Sequence, residues 1–384
     1  MADYRSPLRY GMVGGGRGGF IGHVHRMAAS LDGEFELVAG ALSSDPGRAH
    51  SSAAELGIAA DRSYADFNDM AVRESRHEDG IEAVVIVTPN NLHAGPVKAF
   101  IDAGIHVICD KPLCTTVEEA KELHRIVTDS RRVFVLTHCY TGYPMVREAR
   151  SLVADGAIGA LRLVHVEYPQ GWLATRLEDT GEKKASWRTD PVQSGPGGCV
   201  ADIGTHAYHM ARFVSGLGVE EISAQLTSFI DGRRVDDDVQ VKLRYEQGAR
   251  GLLWASQVAV GHENGLRFRI YGETGSLEWV QANPNYLLHS SIGKPQQILS
   301  RAGDGATDAS LQVSRVAAGH PEGYVEAFST LYREAAAAIR AWQQGLQPGP
   351  ELACPGIDDG LEGMQFIDAC IRSSSRSGAW VSLS

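Results

Sequence analysis

The chain has 384 residues, and its 47 acidic side chains outnumber 36 basic ones to leave a formal charge of −11, which excludes nucleic acid and anionic lipid as general partners. That length is too great for one ordinary core and implies two domains of roughly 100 to 200 residues each, while 43% hydrophobic and 22% charged residues exclude disorder for the whole. No apolar run approaches the roughly 20 residues that span a bilayer, and the opening MADYRSPLRY lacks a leader's apolar segment, so the expectation is a cytoplasmic protein with no membrane partner.

The first element is the apolar run inside RYGMVGGGRGG, Arg9 to Gly19, which leads into Gly14, Gly16 and Gly19 in the G-x-G-x-x-G spacing. One such glycine turns the chain out of a strand, one lets backbone touch a pyrophosphate, and one lets helix and strand pack closely. The phosphates then rest on free N–H groups around Arg17, Phe20 and Ile21, where a helix dipole favours negative charge. In a chain with 43 glycines the same spacing also describes a surface turn, so context decides. Glu36 to Leu42 is a second apolar run, and Pro46 opens a helical stretch to Leu56. Ile81 to Val87 is nearly continuous hydrophobe, as in a strand buried on both faces. His106 to Cys109 and Val133 to Thr137 supply further short strands around a helical period over Thr116 to Ser130. Alternating strand and helix implies a doubly wound parallel sheet with right-handed crossovers, and the glycines then open its first helix.

Beyond about Tyr140 the pattern changes. Leu161 to Tyr168, Ile222 to Ile230, Val239 to Tyr245 and Leu252 to Val258 are longer, and Val239, Val241, Leu243 and Tyr245 alternate with Gln240, Lys242 and Arg244. This period of two marks an antiparallel sheet with one buried face. Arg267 to Ile270 and Ser276 to Val280 continue it, and helices follow near Glu322 to Trp342 and Asp358 to Arg372. Gly293 to Gly319 reads as a long loop. The fold class is therefore α/β: a dinucleotide-binding Rossmann domain over 1–140, then an α+β substrate domain with a large open, mainly antiparallel sheet over 141–384. The six cysteines, Cys109, Cys114, Cys139, Cys199, Cys354 and Cys370, form no C-x-x-C pair and read as reduced thiols.

Four motifs in this order carry a family resemblance: the glycine loop, Thr88-Pro89-Asn90-Asn91-Leu92-His93, Asp110-Lys111-Pro112, and Asp202-Ile203-Gly204-Thr205-His206. The chain resembles the Gfo/Idh/MocA oxidoreductases, the glucose-fructose oxidoreductase and inositol dehydrogenase family, over essentially its whole length; the family usually has Glu where Asp110 stands. The resemblance implies a nicotinamide cofactor, a cis Lys111–Pro112 bond, and a pyranose, glycoside or cyclic polyol as substrate. It makes Lys111 a hydrogen-bond partner of the reacting hydroxyl, His206 the general base, and Asp202 the orienter of His206 and a substrate ligand. A histidine supported by a carboxylate suits that task near neutral pH, and residues four apart share one helix face. Gly195, Gly197 and Gly198 just before them allow close approach of a ligand. Metal ligation by Asp202, His206 and His209 is the competing reading, set aside because the family is metal-independent.

Thr88, Pro89, Asn91, His93 and Asp110 are expected to line the cofactor, His138 and Tyr140 to face the same cleft, and Trp187 and Arg188 to approach cofactor and substrate. His23 and His25 read as packing or surface residues. The tip of the second strand, Ala41-Leu42-Ser43-Ser44-Asp45, puts serines where an acid would hold the adenosine ribose. Ser43 and Ser44 tolerate a 2′-phosphate, with Arg17 or Arg48 as its partner, while Asp45 reaches the ribose if the loop bulges; the reading leans to NAD with NADP not excluded. The basic loop Gly181 to Arg188, with Lys183 and Lys184, suits an anionic sugar or is a solvated charge run. Two reactions fit the resemblance: net dehydrogenation, or redox-neutral glycoside hydrolysis through C3 oxidation, elimination, hydration and re-reduction, with Tyr140 or His206 taking the C2 proton. The open sheet implies a homodimer or homotetramer.

Overall fold

The computed structural model describes residues 6–347, 349 and 352–383; residues 1–5, part of the opening read for a leader, lie outside them. Two compact units make up the chain: Met1–Cys114, Glu118–Cys139 and Phe328–Leu361 form one, and Thr115–Val117, Tyr140–Ala327 and Glu362–Ser384 the other. In the first, β1 (Leu8–Gly14), α1 (Phe20–Leu31), β2 (Phe35–Ala41), α2 (Pro46–Glu55), α3 (Phe67–Glu74), β3 (Ala83–Val87), α4 (Ala94–Asp102), β4 (His106–Cys109), α5 (Val117–Ser130) and β5 (Phe134–Leu136) alternate. Their sheet has the order β2-β1-β3-β4-β5 with every pair parallel. The central strand β3, AVVIV, is buried at every position, which is why it reads as continuous hydrophobe. Pro46 stands in the first turn of α2, whose N-cap is Asp45.

The second unit holds α6 (Pro144–Ala154), β6 (Leu161–Pro169), α7 (Lys183–Arg188), α8 (Pro191–Ser194), α9 (Thr205–Ser215), β7 (Val219–Thr227), β8 (Asp238–Tyr245), β9 (Arg250–Ser256), β10 (Arg267–Gly272), β11 (Gly275–Val280), β12 (Tyr286–Ser291), β13 (Gln297–Ser300), α10 (Asp308–Leu311), the start of α11 (Tyr324–Gln343), most of α12 (Ile357–Ser374) and β14 (Val381–Ser382). Among the described residues its strands make one sheet ordered β13-β12-β11-β10-β6-β9-β8-β7-β14, antiparallel except where β6 runs parallel to β9. In β8, Val239, Val241, Leu243 and Tyr245 are buried while Gln240 and Lys242 are exposed, the alternation expected of a sheet with two unlike faces.

Three expectations change. The division into 1–140 and 141–384 takes no account of Phe328–Leu361, which groups with the first unit. Tyr332 Oη lies 2.6 Å from His25 Nδ1, and Ser329 Oγ donates to Asp32 at 2.9 Å, so this helical segment finds its partners there. Gly293 to Gly319 is not a bare loop: a turn at Gly293, in the left-handed region with φ of 75°, folds β13 back onto β12, and α10 follows. The charged stretch from Lys183 to Arg188 is the helix α7 rather than a loop, capped by the Glu182 side chain on the Lys184 N–H.

Candidate active site

In the first unit β1 ends in glycines whose backbone requires them: Gly14, Gly15 and Gly18 have φ of 80°, 71° and 82°, the left-handed region that costs other residues. A Cβ at Gly16 would stand 2.8 Å from Leu42 O and 2.9 Å from Ser52 Oγ, and one on Gly22 would collide with Gly15. Gly22, which the spacing rule does not include, is thus a close-packing glycine of α1. The Gly19 N-cap makes no side-chain cap to α1, leaving first-turn N–H groups for an anion. Gly16, Arg17, Gly18, Phe20, His23 and Ser52 line a cavity of about 370 Å³ here. The donor set, the cradle a Cβ would fill and the helix N-terminus together fit a dinucleotide pyrophosphate.

Around the ribose position Asp45 is exposed, and its Oδ1 accepts the Arg48 N–H at 2.7 Å and caps α2. The Ser43 hydroxyl accepts the Asp45 N–H at 3.2 Å, Ser44 is exposed, and the Arg17 guanidinium pairs with Glu55. No acid stands at the tip of β2 in the usual manner; Glu55, from the end of α2, answers Arg17 instead.

The loop after β3 is a short 3₁₀ turn, Asn90–Leu92, closed by the Thr88 hydroxyl on Leu92 O at 2.9 Å. His93 is buried, with Nδ1 2.8 Å from Pro112 O and Nε2 2.9 Å from Thr88 O. It therefore ties the β3 loop to the β4 loop. Asn91 is exposed and Pro89 half-buried. Beyond β4, Asp110 Oδ1 accepts the Lys111 N–H at 2.8 Å and the Thr137 hydroxyl at 3.1 Å, and the Lys111–Pro112 bond is cis. Lys111 is half-buried at the C-terminal end of a parallel strand, where ligands bind in open α/β sheets. His138 is buried after β5. His25 packs 4.7 Å from the Phe328 ring, and burial holds it down at about 4.

In the second unit a π-helical turn, Val200–Gly204, runs into α9 and carries Asp202, with His206 one turn on. The buried Asp236 carboxylate holds its start, accepting Gly198 N–H at 2.7 Å and Val200 N–H at 2.8 Å. Burial nonetheless raises Asp236 to about 6. A Cβ on Gly198 would strike Asp236 O, so this glycine serves the chain's own packing rather than approach of a ligand. Asp202 Oδ2 accepts from Gln257 Nε2 at 2.9 Å and lies 3.3 Å from Arg188 Nε; Arg188 also stacks 4.2 Å over Trp187. Lys184 stands 4.2 Å over Trp172, while Lys183 is exposed. The His206 ring, 8% exposed, meets Tyr140 edge to face at 4.9 Å and Tyr168 at 6.2 Å.

The first unit thus brings together Thr88, His93, Asp110 and the Lys111–Pro112 loop, and the second gathers Asp202 with Arg188, and His206 with Tyr140. Gln257, Tyr168, Asn264 and Asp236 were missed because no motif holds them. The available signal was polarity out of place, since Tyr168 shares the buried side of β6 with Val164 and Val166. Among the described residues no group of three His, Cys, Asp or Glu is placed to hold a metal ion, and no helix is long and apolar enough to cross a membrane.

A model described as an oxidoreductase family with an NAD-binding Rossmann fold matches residues 8–138, and one for the GFO/IDH/MocA C-terminal domain matches 146–278. The uncharacterized oxidoreductase YfiI of Bacillus subtilis (strain 168) is 36% identical, over 98% of this chain and 96% of its own. A crystal structure of an oxidoreductase from Sinorhizobium meliloti is 51% identical with a TM-score of 0.90, covering 98% of this chain and 100% of that one. An inositol dehydrogenase homolog from Azotobacter vinelandii, complexed with NAD+, is 37% identical with a TM-score of 0.95, covering 98% and 97%. The same homolog complexed with NADH and myo-inositol superposes with a TM-score of 0.91 at 37% identity, over 98% of each chain.

Proposed function

Because the chain belongs to the GFO/IDH/MocA family of NAD-binding oxidoreductases, we propose that it oxidises a secondary hydroxyl of a cyclic polyol or pyranose to the ketone, with net formation of NADH and release of one proton. NAD, when bound, supplies the hydride acceptor. The His206 imidazole takes the hydroxyl proton, and the Lys111 ammonium donates a hydrogen bond to the same oxygen, stabilising charge as it develops there. Asp202, held by Gln257 and Arg188, is the substrate ligand and keeps a carboxylate near the imidazole. The observation that carries this reading is the Asp202 and His206 pair on one continuous helical segment, with Asp202 held by the buried Gln257 and the half-buried Arg188 and His206 packed against the buried Tyr140 ring. The myo-inositol complex of the Azotobacter homolog makes cyclic polyols the first substrates to try.

Preference for NAD over NADP is part of this proposal. Asp45 is engaged in capping and Arg17 in its pair with Glu55, which leaves a 2′-phosphate to recruit the exposed Arg48 instead. Association through the outer sheet face, where Leu163 and Leu252 are exposed on adjacent strands, is proposed as the route to a dimer or tetramer and is read by light scattering. Activity is tested by absorbance of NADH with NAD+ and a panel of myo-inositol, other cyclic polyols, neutral pyranoses and uronates. Substitution of Lys111 or His206 by Ala is expected to lower kcat by about 100-fold or more. Retained NAD+ binding with no NADH from any member of the panel overturns the reading.

A further inference from the structure

We infer that Tyr168 and Asn264 are positioning residues that act through Tyr140 to fix the His206 ring, an inference resting on the assignment of His206 as proton acceptor. Tyr168 donates its hydroxyl to Asn264 Oδ1 at 2.7 Å, and Asn264 Nδ2 donates to the Tyr140 oxygen at 3.3 Å. The two phenols are also hydrogen-bonded to each other. Tyr168 has one hydroxyl proton and Asn264 receives it, so Tyr140 is the donor between the phenols. The three bonds close a ring running Tyr140 to Tyr168 to Asn264 and back to Tyr140, every member donating in the same sense. Gln170 Nε2 donates to the same Asn264 oxygen at 2.8 Å, and Asn264 Nδ2 reaches Gln281 Oε1 at 3.2 Å, which sets the orientation of the amide from outside the ring.

Two consequences follow. Closed networks of this kind polarise one another and fail together when one bond is removed, so the plane of the Tyr140 ring, standing at 79° to His206, depends on residues that are not on its own element. The direction of the bonds also offers the Tyr140 proton no basic acceptor within the ring: it points to Tyr168, whose own proton points to an amide oxygen, a very weak proton acceptor. This disfavours the glycosidase chemistry that the sequence left open for Tyr140.

The test uses the full chain loaded with NADH and labelled with 13C-histidine, and follows the imidazole Cε1–H signal assigned by loss in His206→Gln. In the wild type this signal should be single and displaced by the Tyr140 ring current. Tyr168→Phe and Asn264→Ala should each move or broaden it, and the double variant should do so no more than either single one. An unchanged His206 signal in both variants overturns the inference. With myo-inositol and NAD+, kcat is expected to fall about tenfold in Tyr168→Phe, Asn264→Ala and Tyr140→Phe alike, with KM within about twofold. A loss of about 100-fold or more in Tyr140→Phe beside wild-type behaviour of Tyr168→Phe also overturns it, since that marks a base. A wild-type protein inactive on every polyol and pyranose defeats the functional reading, while the histidine spectra still decide the ring.

Discussion

Acid is expected to weaken the first unit through two buried imidazoles. His25 on α1 is lowered from 6.5 to about 4 by burial, against the opposing pull of the Asp110 carboxylate. His106 on β4 is lowered to about 4 by burial, with the Arg132 charge acting in the same direction. His106 Nδ1 also accepts the Val133 N–H at 3.0 Å, a bond that protonation removes. In the unfolded chain both rings titrate near about 6.5. As pH falls below that value the unfolded state takes up protons that the folded state refuses, so stability is lost from about 6.5 down toward 4. Each ring contributes about 2–3 kcal/mol of loss by about pH 4.5, a large part of a typical stability of about 5–15 kcal/mol. Asp236 acts in the opposite sense. Its raised value of about 6 means that its contribution is full below the unfolded carboxylate value near 3.8 and is lost as pH rises through 6. The assay is therefore differential: urea unfolding of wild type, His25→Gln and His106→Gln from pH 7 to about 4.5. The stability of wild type relative to each variant should fall by about 2–3 kcal/mol over that range; parallel curves would refute the reasoning.

Other substitutions test the site more directly. Gly16→Ala places a methyl 2.8 Å from Leu42 O, so the loop must shift, and NADH fluorescence titration should report a dissociation constant raised about tenfold or more together with a lowered melting temperature; unaltered affinity refutes the cradle. His93→Ala removes the link between Thr88 O and Pro112 O, and is expected to cost about 1–3 kcal/mol by urea unfolding and to lower kcat by loosening the Lys111 loop. Arg188→Ala should reduce kcat/KM about tenfold or more by removing the cation beside Asp202, while Lys184→Ala, which loses the contact with Trp172, should remain near wild type on neutral polyols. Glu55→Gln releases Arg17 and should tighten NADP+ binding about threefold or more with NAD+ binding unchanged, measured by the same titration.

The parts of the fold legible in the sequence are those whose signal is local and repeated. The burial of β3 on both faces is written in Ala83 to Val87, and the two faces of β8 in Val239 to Tyr245. Helix α2 announces itself through Asp45 and Pro46 at its start. The less visible elements lack that support. Strand β13 has Gln297 and Ser300 at its ends, and only its pairing with β12 makes it a strand. Helix α7 is short and charged, and it depends on the Glu182 cap and on the Lys184 contact with Trp172. Its charges resemble a solvated loop because three of its six residues are Lys or Arg.

The site divides in the same way, and the division has a physical cause. Residues proposed to present one atom in one place after a strand, such as Lys111 beyond β4, occur in compact motifs because the strand end does the positioning. Residues that hold those groups come from wherever the fold brings a polar side chain close. Asp236 is 34 positions from Asp202, yet it caps the turn that carries Asp202. Asn264 lies 124 positions from Tyr140 and still donates to it. Spacing rules have no reach over such separations. Chemistry does leave a trace: a buried tyrosine on the apolar side of β6 needs a partner for its hydroxyl. Following the Tyr168 proton to Asn264, and the Asn264 proton to Tyr140, turns an unremarkable strand residue into part of the support for His206.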